Sequence, residues 1–225
     1  MPRHILVLGA TSPLGVEFGD HERITCSAAL RESHTLTVIV RNAAKLPAEI
    51  SSNATVVVGQ LTDAAALEEA VACGATTCVS FLGPVMTDLK KGHRPITDGY
   101  KLIIPLLQKH GYKRTLILST ASFKVPEDHF SIVFSIMVWG IYLFARAAYD
   151  EITGFSPLVA QLPKEELGWT IYRVPILKNG EPREVAAGYV GKVGTTVERK
   201  ALAQWLLEEM EQKNWVGKCP AVANA

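Results

Sequence analysis

The sequence predicts a doubly wound α/β fold, in which helices flank both faces of a mainly parallel β-sheet. Short runs rich in Val, Ile, Thr and Leu alternate along the 225 residues with segments of helical periodicity. These runs carry almost no charge, which is typical of strands buried on both faces of a parallel sheet. The first run ends in a glycine-rich turn. Together these observations predict one doubly wound domain over residues 1–225.

The alternation also sets the expected elements. Strands are predicted at His4–Leu8, Leu36–Val40, Thr55–Val58, Thr77–Leu82, Thr115–Ser119 and Thr170–Val174. Helices are predicted at Cys26–Glu32, Ala64–Ala72, Thr97–His110, Phe130–Thr153, Ser156–Glu166 and Glu198–Gln212. The glycine-rich stretch 177–197 shows little periodicity. We expect it to form a small C-terminal region of loops and short strands that covers the substrate, because ligands of open α/β sheets bind at the carboxyl edge.

Composition excludes several classes of function. The chain has 23 basic and 22 acidic residues and no long basic run, so no nucleic-acid partner is expected. Its four cysteines form no Cys-x-x-Cys pair and no zinc-ligand spacing. We therefore expect no metal site, and read the cysteines as small buried side chains in a reducing compartment. The first apolar run is too short for a signal peptide, so the expected location is cytoplasmic.

An uncharged segment of sixteen residues, FSIVFSIMVWGIYLFA, runs from Phe130 to Ala145. A membrane-spanning helix needs about 20 predominantly apolar residues, and this run is shorter. We interpret it as a helix that lies in the core or in an interface, such as a homodimer contact through residues 130–149. Contact with a membrane surface is a less favoured alternative, and a true span is the least favoured.

The turn after the first strand has the features of a phosphate-binding loop. A strand-to-helix turn with glycine at both ends lets the backbone approach a pyrophosphate, and the next helix directs its free N–H groups at the phosphates. This context predicts a Rossmann-type dinucleotide site. Its expected residues are Gly9, Thr11, Ser12, Pro13, Leu14 and Gly15.

The end of the second strand predicts which dinucleotide binds. An NAD-selective site usually places Asp or Glu there to bind the ribose 2′-hydroxyl. Here the position is Arg41, with Lys45 nearby. A guanidinium can pair with a 2′-phosphate, so NADP(H) is predicted in preference to NAD(H). The alternative is a solvated charge at a strand end. Further cofactor contacts are expected at the other strand ends, namely Gln60, Leu61, Phe81, Leu82, Gly83, Ser119 and Thr120.

These motifs resemble those of the atypical short-chain dehydrogenase/reductases, in particular the NmrA-like and biliverdin-reductase-B-like NAD(P)H-binding group. The resemblance rests on Gly9-Ala10-Thr11 with Gly15, on the Val40-Arg41 strand end, on the stretch 58–63 and on the stretch 169–175. It implies NAD(P)H-dependent oxidoreductase chemistry. It also implies that the loop after the last predicted strand approaches the nicotinamide through Val174, Pro175 and Ile176.

The sequence departs from the superfamily at its usual Tyr-x-x-x-Lys catalytic pair. The nearest match is Tyr142 with Arg146, and an arginine differs from lysine in pKa and geometry. Tyr142, Arg146 and Tyr149 are spaced to share one helix face. Ser119, Tyr142 and Tyr149 are therefore the candidate proton donors.

Three functions remain open at this point. The first is an NADPH-dependent reductase of a small apolar or aromatic carbonyl, enone or quinone. The second is an NmrA-like redox sensor that binds the dinucleotide without turnover, which the missing Tyr-x-x-x-Lys favours. The third is a non-redox isomerase or cyclase on the same fold.

Overall fold

The computed structural model of the chain describes residues 2–10, 20–84 and 92–225, with the backbone alone at 20–24. The strands are β1 (His4–Leu8), β2 (Thr35–Val40), β3 (Ala54–Val58), β4 (Thr77–Ser80), β5 (Arg114–Ser119), β6 (Trp169–Arg173), β7 (Ile176–Lys178), β8 (Val185–Gly188), β9 (Thr196–Glu198) and β10 (Ala221–Asn224). The helices are α1 (Asp20–Arg31), α2 (Ala48–Ser51), α3 (Ala64–Val71), α4 (Pro95–Lys109), α5 (Ile132–Phe144), α6 (Arg146–Ala160) and α7 (Arg199–Gln212).

The strands form one eight-stranded sheet in the order β3-β2-β1-β4-β5-β6-β10-β8. All its pairs are parallel except β10 with β8, and β7 and β9 form a separate parallel pair. The chain moves from β1 outward to β2 and β3, then returns to the other side of β1 with β4. This reversal is the topological switch point of a Rossmann-type sheet, and the predicted fold class is confirmed.

The core has two layers because successive strand side chains face opposite sides of the sheet. Leu6 and Leu8 of β1 pack with α3, α4 and α6 in one cluster. Ile5 and Val7 pack with α1 and α7 in the other. Both faces of the central strands are thus buried, which explains why their sequences read as continuous apolar runs.

Two helix predictions are wrong. The single helix expected at Phe130–Thr153 is broken at Ala145, whose φ of −135° and ψ of 44° are not helical, and α5 and α6 meet at 112°. The helix expected at Ser156–Glu166 does not exist as a separate element, because α6 continues through residue 156 and ends at Ala160. The short strand β10 was not predicted.

The core interpretation of the uncharged segment is also wrong, because Phe134 is the one buried residue of α5. The interface interpretation stays a prediction. Among the described helices none is long and apolar enough by itself to cross a membrane, although α5 and α6 taken together pass a test of length and composition.

Candidate functional site

The turn after β1 begins at a residue that must be glycine. Gly9 has a φ of +83°, in the left-handed region that side chains disfavour. A Cβ on Gly9 would also lie 3.0 Å from the backbone nitrogen of Leu82. The ends of β1 and β4 therefore approach each other closely at the switch point. The rest of the predicted phosphate loop, Thr11 to Gly15, lies outside the described residues.

The ends of β2 and β3 form an open, polar part of the carboxyl edge. Arg41 directly follows β2 and is exposed, as is Gln60 after β3. Gly59 lets the turn after β3 pack on α3, since an added Cβ would lie 2.3 Å from the Cβ of Ala66. Leu61 instead packs against α4, where it lies close to the backbone of Gly99. Arg41 and Gln60 are thus exposed at the edge, whereas Leu61 contributes to packing.

The ends of β4, β5 and β6 form an apolar part of the same edge. A cavity of about 280 Å³ lies between these strand ends and the helices α5 and α6. It is lined by Phe81, Gly83, Pro84, Leu118, Thr120, Ala121, Ser122, Phe134, Met137, Val138, Ile141, Ala145, Ala148, Ile152, Val174, Pro175, Ile176 and Leu177. No ionisable side chain is among these described lining residues.

The cavity brings together six residues that the sequence predicted at the cofactor site. They are Phe81, Gly83, Thr120, Val174, Pro175 and Ile176. Leu82 instead packs into the core. Of the stretch 177–197, which was expected to cover the substrate, Leu177 is the residue that lines this cavity, so the described cover comes mainly from α5 and α6.

Two hydroxyl groups are the polar side chains of the lining. The Thr120 hydroxyl accepts a hydrogen bond of 3.2 Å from the Ser122 backbone N–H. The Ser122 Oγ is buried and has no hydrogen-bond partner among the described residues. Buried hydroxyls are normally paired, so Ser122 is an exception that needs an explanation. Sequence reasoning did not select Ser122, whose position two residues after Thr120 in a loop carries no distinctive motif.

Ser119, the first candidate proton donor, faces away from this lining. It is fully buried, and its hydroxyl forms a 2.9 Å hydrogen bond with that of Ser156 on α6. Strand side chains alternate, so the placement of Leu118 and Thr120 at the cavity directs Ser119 to the opposite face of the sheet. Alternation predicts from the sequence only that Ser119 and Thr120 face opposite sides of the sheet, and the structure shows that Thr120 is the one at the cavity.

Tyr142, Arg146 and Tyr149 do cluster, but across the break between α5 and α6 rather than along one helix. The two rings meet edge to face with centroids 5.2 Å apart, and the Arg146 guanidinium lies 4.3 Å from the Tyr142 centroid. Arg146 also pairs with Asp150 at 2.8 Å. Neither tyrosine lines the described cavity. Their role as proton donors stays a prediction, and the geometry does not favour it.

An ion pair fixes the segment that leads into α5. Arg173, at the end of β6, is buried and donates two hydrogen bonds to the Asp128 carboxylate, of 2.6 and 2.7 Å. Burial by itself would raise the pKa of Asp128. Hydrogen bonds from Arg173 and from the N–H groups of Val125 and Val190 outweigh it and hold the pKa below its usual value.

A second buried carboxylate fixes α6. Glu151 is fully buried and accepts hydrogen bonds of 2.9 Å from the Ile96 and Thr97 N–H groups and of 2.7 Å from the Thr97 hydroxyl. These donors belong to the first turn of α4, whose N–H groups have no partner within the helix. Glu151 therefore caps α4 from a neighbouring helix and holds one wall of the cavity in place.

No group of three or more metal-ligating side chains occurs in the described parts of the chain. The four cysteines are free, and Cys26, Cys78 and Cys219 are buried. The chemistry of the site therefore has to be read from the strand ends and the cavity.

The switch point, the obligatory glycine after β1 and the crevice along the carboxyl edge define a dinucleotide-binding protein of the Rossmann type. A family model described as NAD(P)H-binding matches residues 23–213, most of the chain. The chain belongs to this NAD(P)H-binding family. The match begins after the predicted phosphate loop, so it rests on the remainder of the domain.

Solved structures share the fold over nearly the whole chain. The short-chain dehydrogenase/reductase of Veillonella parvula DSM 2008, solved in complex with NADP, has a TM-score of 0.75 at 17% identity, covering 100% of this chain and 95% of that one. The anaerobillin reductase ChuY of Escherichia coli O157:H7 has a TM-score of 0.74 at 15% identity, covering 98% and 97%. No curated protein matches the sequence. The predicted NAD(P)H-binding family is confirmed by the family model, and the fold is shared with a short-chain dehydrogenase/reductase and with an anaerobillin reductase.

Proposed function

We propose that this protein is an NADPH-dependent reductase of a small apolar or aromatic substrate with a carbonyl, enone or quinone group. The observation that carries the proposal is the apolar cavity of about 280 Å³ at the ends of β4, β5 and β6. In a Rossmann-type fold this part of the edge is where the reacting end of a bound dinucleotide and its substrate meet.

The residues of the edge fit a dinucleotide. Gly9 supplies the close backbone approach that begins a phosphate-binding turn, and Arg41 supplies an exposed guanidinium at the end of β2. Gly83, Thr120 and the segment 174–176 line the slot at the other end. When bound, the cofactor supplies a hydride.

The cavity restricts which substrates fit. Its lining is apolar apart from Thr120, Ser122 and backbone groups, so a charged substrate would lose its hydration without gaining an ion pair there. A flat ring or a short hydrocarbon chain has little hydration to lose and would enter the cavity at little cost. The substrate oxygen then needs a polar partner, and the hydroxyl of half-buried Thr120 is the candidate in the lining, because the Ser122 Oγ is fully covered.

The described lining contains no ionisable side chain, so the proton that completes a reduction would come from a hydroxyl or through a bound water. The chain's main contribution would be to hold the reactants together and to exclude solvent. The same lack of an acid favours a second function, a redox sensor that binds the dinucleotide without turning it over.

Cofactor selectivity gives a direct test. If Arg41 contacts the 2′-phosphate, NADPH should bind more tightly than NADH, and Arg41→Asp should abolish or reverse the difference. A charge-assisted contact is worth about 1.5–3 kcal/mol, or roughly tenfold to a hundredfold in affinity. Titration of both cofactors by intrinsic fluorescence or calorimetry measures this ratio. Equal affinities of the unmodified protein for NADPH and NADH would contradict the proposed preference for NADP(H).

Filling the cavity tests the reaction itself. Ala121 lines the cavity after β5, and Ala121→Phe should lower kcat/KM on the order of tenfold, about 1.4 kcal/mol, because the ring would occupy substrate space. NADPH affinity should change little. Ala121→Ser, which keeps the volume, is the matched control. Turnover is measured as NADPH consumption with quinones, enones and flavins. If the unmodified protein binds NADPH but reduces none of them, the sensor function replaces the reductase.

A further inference from the structure

The surface of α5 concentrates the exposed apolar side chains of this protein. Of the eleven large apolar side chains that are exposed in the described residues, eight belong to α5 or directly precede it. They are Phe130, Ile132, Val133, Ile136, Trp139, Tyr142, Leu143 and Phe144. Phe130 and Phe144, at the two ends, are each 85% exposed, and Trp139, near the centre, is 63% exposed.

The helical repeat divides α5 into two apolar faces with different surroundings. The inner face, made of Phe134, Met137, Val138 and Ile141, lines the cavity. The outer face is made of Ile132, Val133, Ile136, Trp139, Gly140 and Leu143. Within the described residues, the inner face accounts for the contacts of α5 with its own chain, and the outer face has none that would explain its composition.

The outer face and its ends have the size of a protein interface. With ordinary areas of about 150–250 Å² for large side chains, the exposed fractions amount to on the order of 1,000 Å². The largest apolar patch of a typical monomer is roughly 300–600 Å². A stable protein–protein interface of standard size buries about 800 Å² on each partner. The area is therefore sufficient for a dimer and larger than a monomer normally exposes.

The charge pattern favours a protein partner over a lipid surface. Helices that lie on membranes combine an apolar face with a polar face rich in Lys and Arg. α5 carries no charged residue at all, and Arg146, the first cation after it, is paired with Asp150 at 2.8 Å. Because the outer face is uncharged, two copies can meet about a two-fold axis without bringing like charges together.

Gly140 adds a separate observation. A glycine within a helix costs about 0.5–1 kcal/mol relative to alanine. Apart from its chain neighbours and the backbone of its own helix, no atom of the described residues lies within 4 Å of the position a Cβ would take. Packing within the described chain therefore does not require a glycine. A missing side chain on the outer face lets another helix approach more closely.

We propose that the outer face of α5 is a self-association surface, on which the α5 helix of a second copy packs across a two-fold axis. Trp139 and Ile136 form its centre, and Gly140 sets the close crossing of the two helices. The proposal concerns assembly and does not depend on the reaction assigned to the cavity.

Sedimentation velocity and light scattering of the full-length protein, in detergent-free buffer at micromolar concentrations, test this surface. The unmodified protein should sediment as a dimer of the 24.5 kDa chain. Ile136→Glu should raise the dimer Kd on the order of thirtyfold or more, as expected for a side chain at the centre of an interface. Leu102→Glu, at a 39% exposed position on α4, is the matched control and should remain dimeric.

The variant Gly140→Leu distinguishes a specific helix crossing from non-specific hydrophobic association. Because space is open at this position, the variant should fold, and it adds apolar surface. A close crossing predicts that it weakens the dimer, whereas non-specific association predicts that it strengthens the self-association. A monomeric unmodified protein, or a monomer that instead pellets with phosphatidylcholine or phosphatidylserine vesicles, would overturn the proposal. These readouts use neither cofactor nor substrate, so they are independent of the test of function.

Discussion

α5 and the first half of α6 were predicted as one helix, Phe130–Thr153, yet the fold holds the two helices in different ways. α6 buries six residues and carries Glu151, whose carboxylate binds the first turn of α4. α5 buries Phe134 alone and depends on the preceding segment, which Asp128 ties to β6 through Arg173. A helix that is anchored by buried polar contacts, as α6 is, can therefore support a neighbouring helix that mainly covers the cavity, as α5 does.

Removing the anchor of α6 should have the largest effect on stability. Glu151→Ala leaves the Ile96 and Thr97 N–H groups buried without a partner, whereas the Thr97 hydroxyl keeps a 3.4 Å hydrogen bond to the Glu151 carbonyl. Each unpaired donor costs about 1–3 kcal/mol. We expect the free energy of unfolding, measured with urea, to fall on the order of 3 kcal/mol or more. Glu151→Gln should be nearly as harmful, because its amide N–H₂ would face an N–H donor.

Glu165→Ala is the matched control for this prediction. Glu165 is exposed and lies 4.0 Å from Lys164, a separation typical of surface pairs that contribute little. Its removal should change the unfolding free energy by no more than about 0.5 kcal/mol. A loss of similar size in both variants would mean that the contact between α6 and α4 is not what holds α6.

The break at Ala145 shows what the sequence could not provide. Neither proline nor glycine stands at the break, and the apolar periodicity continues across it, so local propensity predicts one helix. The contacts of Glu151 that fix α6 reach 54–55 residues back along the chain. Such long-range contacts are invisible to a pattern confined to neighbouring residues.

By contrast, the first six strands were predicted to within one or two residues at each end. Buried parallel strands form apolar runs that few other structures produce, and their carboxyl ends meet at one edge, which brought Phe81, Gly83, Thr120 and Val174 together as expected. The donor role of Ser119 stays a prediction, although its hydroxyl is directed away from the cavity and bonds to that of Ser156. β5 is buried at every position, so its burial pattern could not reveal which face Ser119 occupies.

Removing the anchor of α5 should lower the free energy of unfolding by less than removing the anchor of α6, and this loss should depend on pH. Asp128→Asn removes the charge that pairs with buried Arg173, and we expect a loss of about 2 kcal/mol near neutral pH, since Arg173 keeps its bonds to the Cys219 and Phe123 carbonyls. Asp128 has a folded-state pKa below its usual value of 3.8. Its contribution is therefore present above pH 4 and is lost as the pH falls through the folded-state pKa. Urea unfolding of both proteins as a function of pH should show their stability difference shrinking below about pH 4, near the ordinary carboxyl pKa. A difference that stays constant in acid would mean that the charge of Asp128 does not hold the segment before α5.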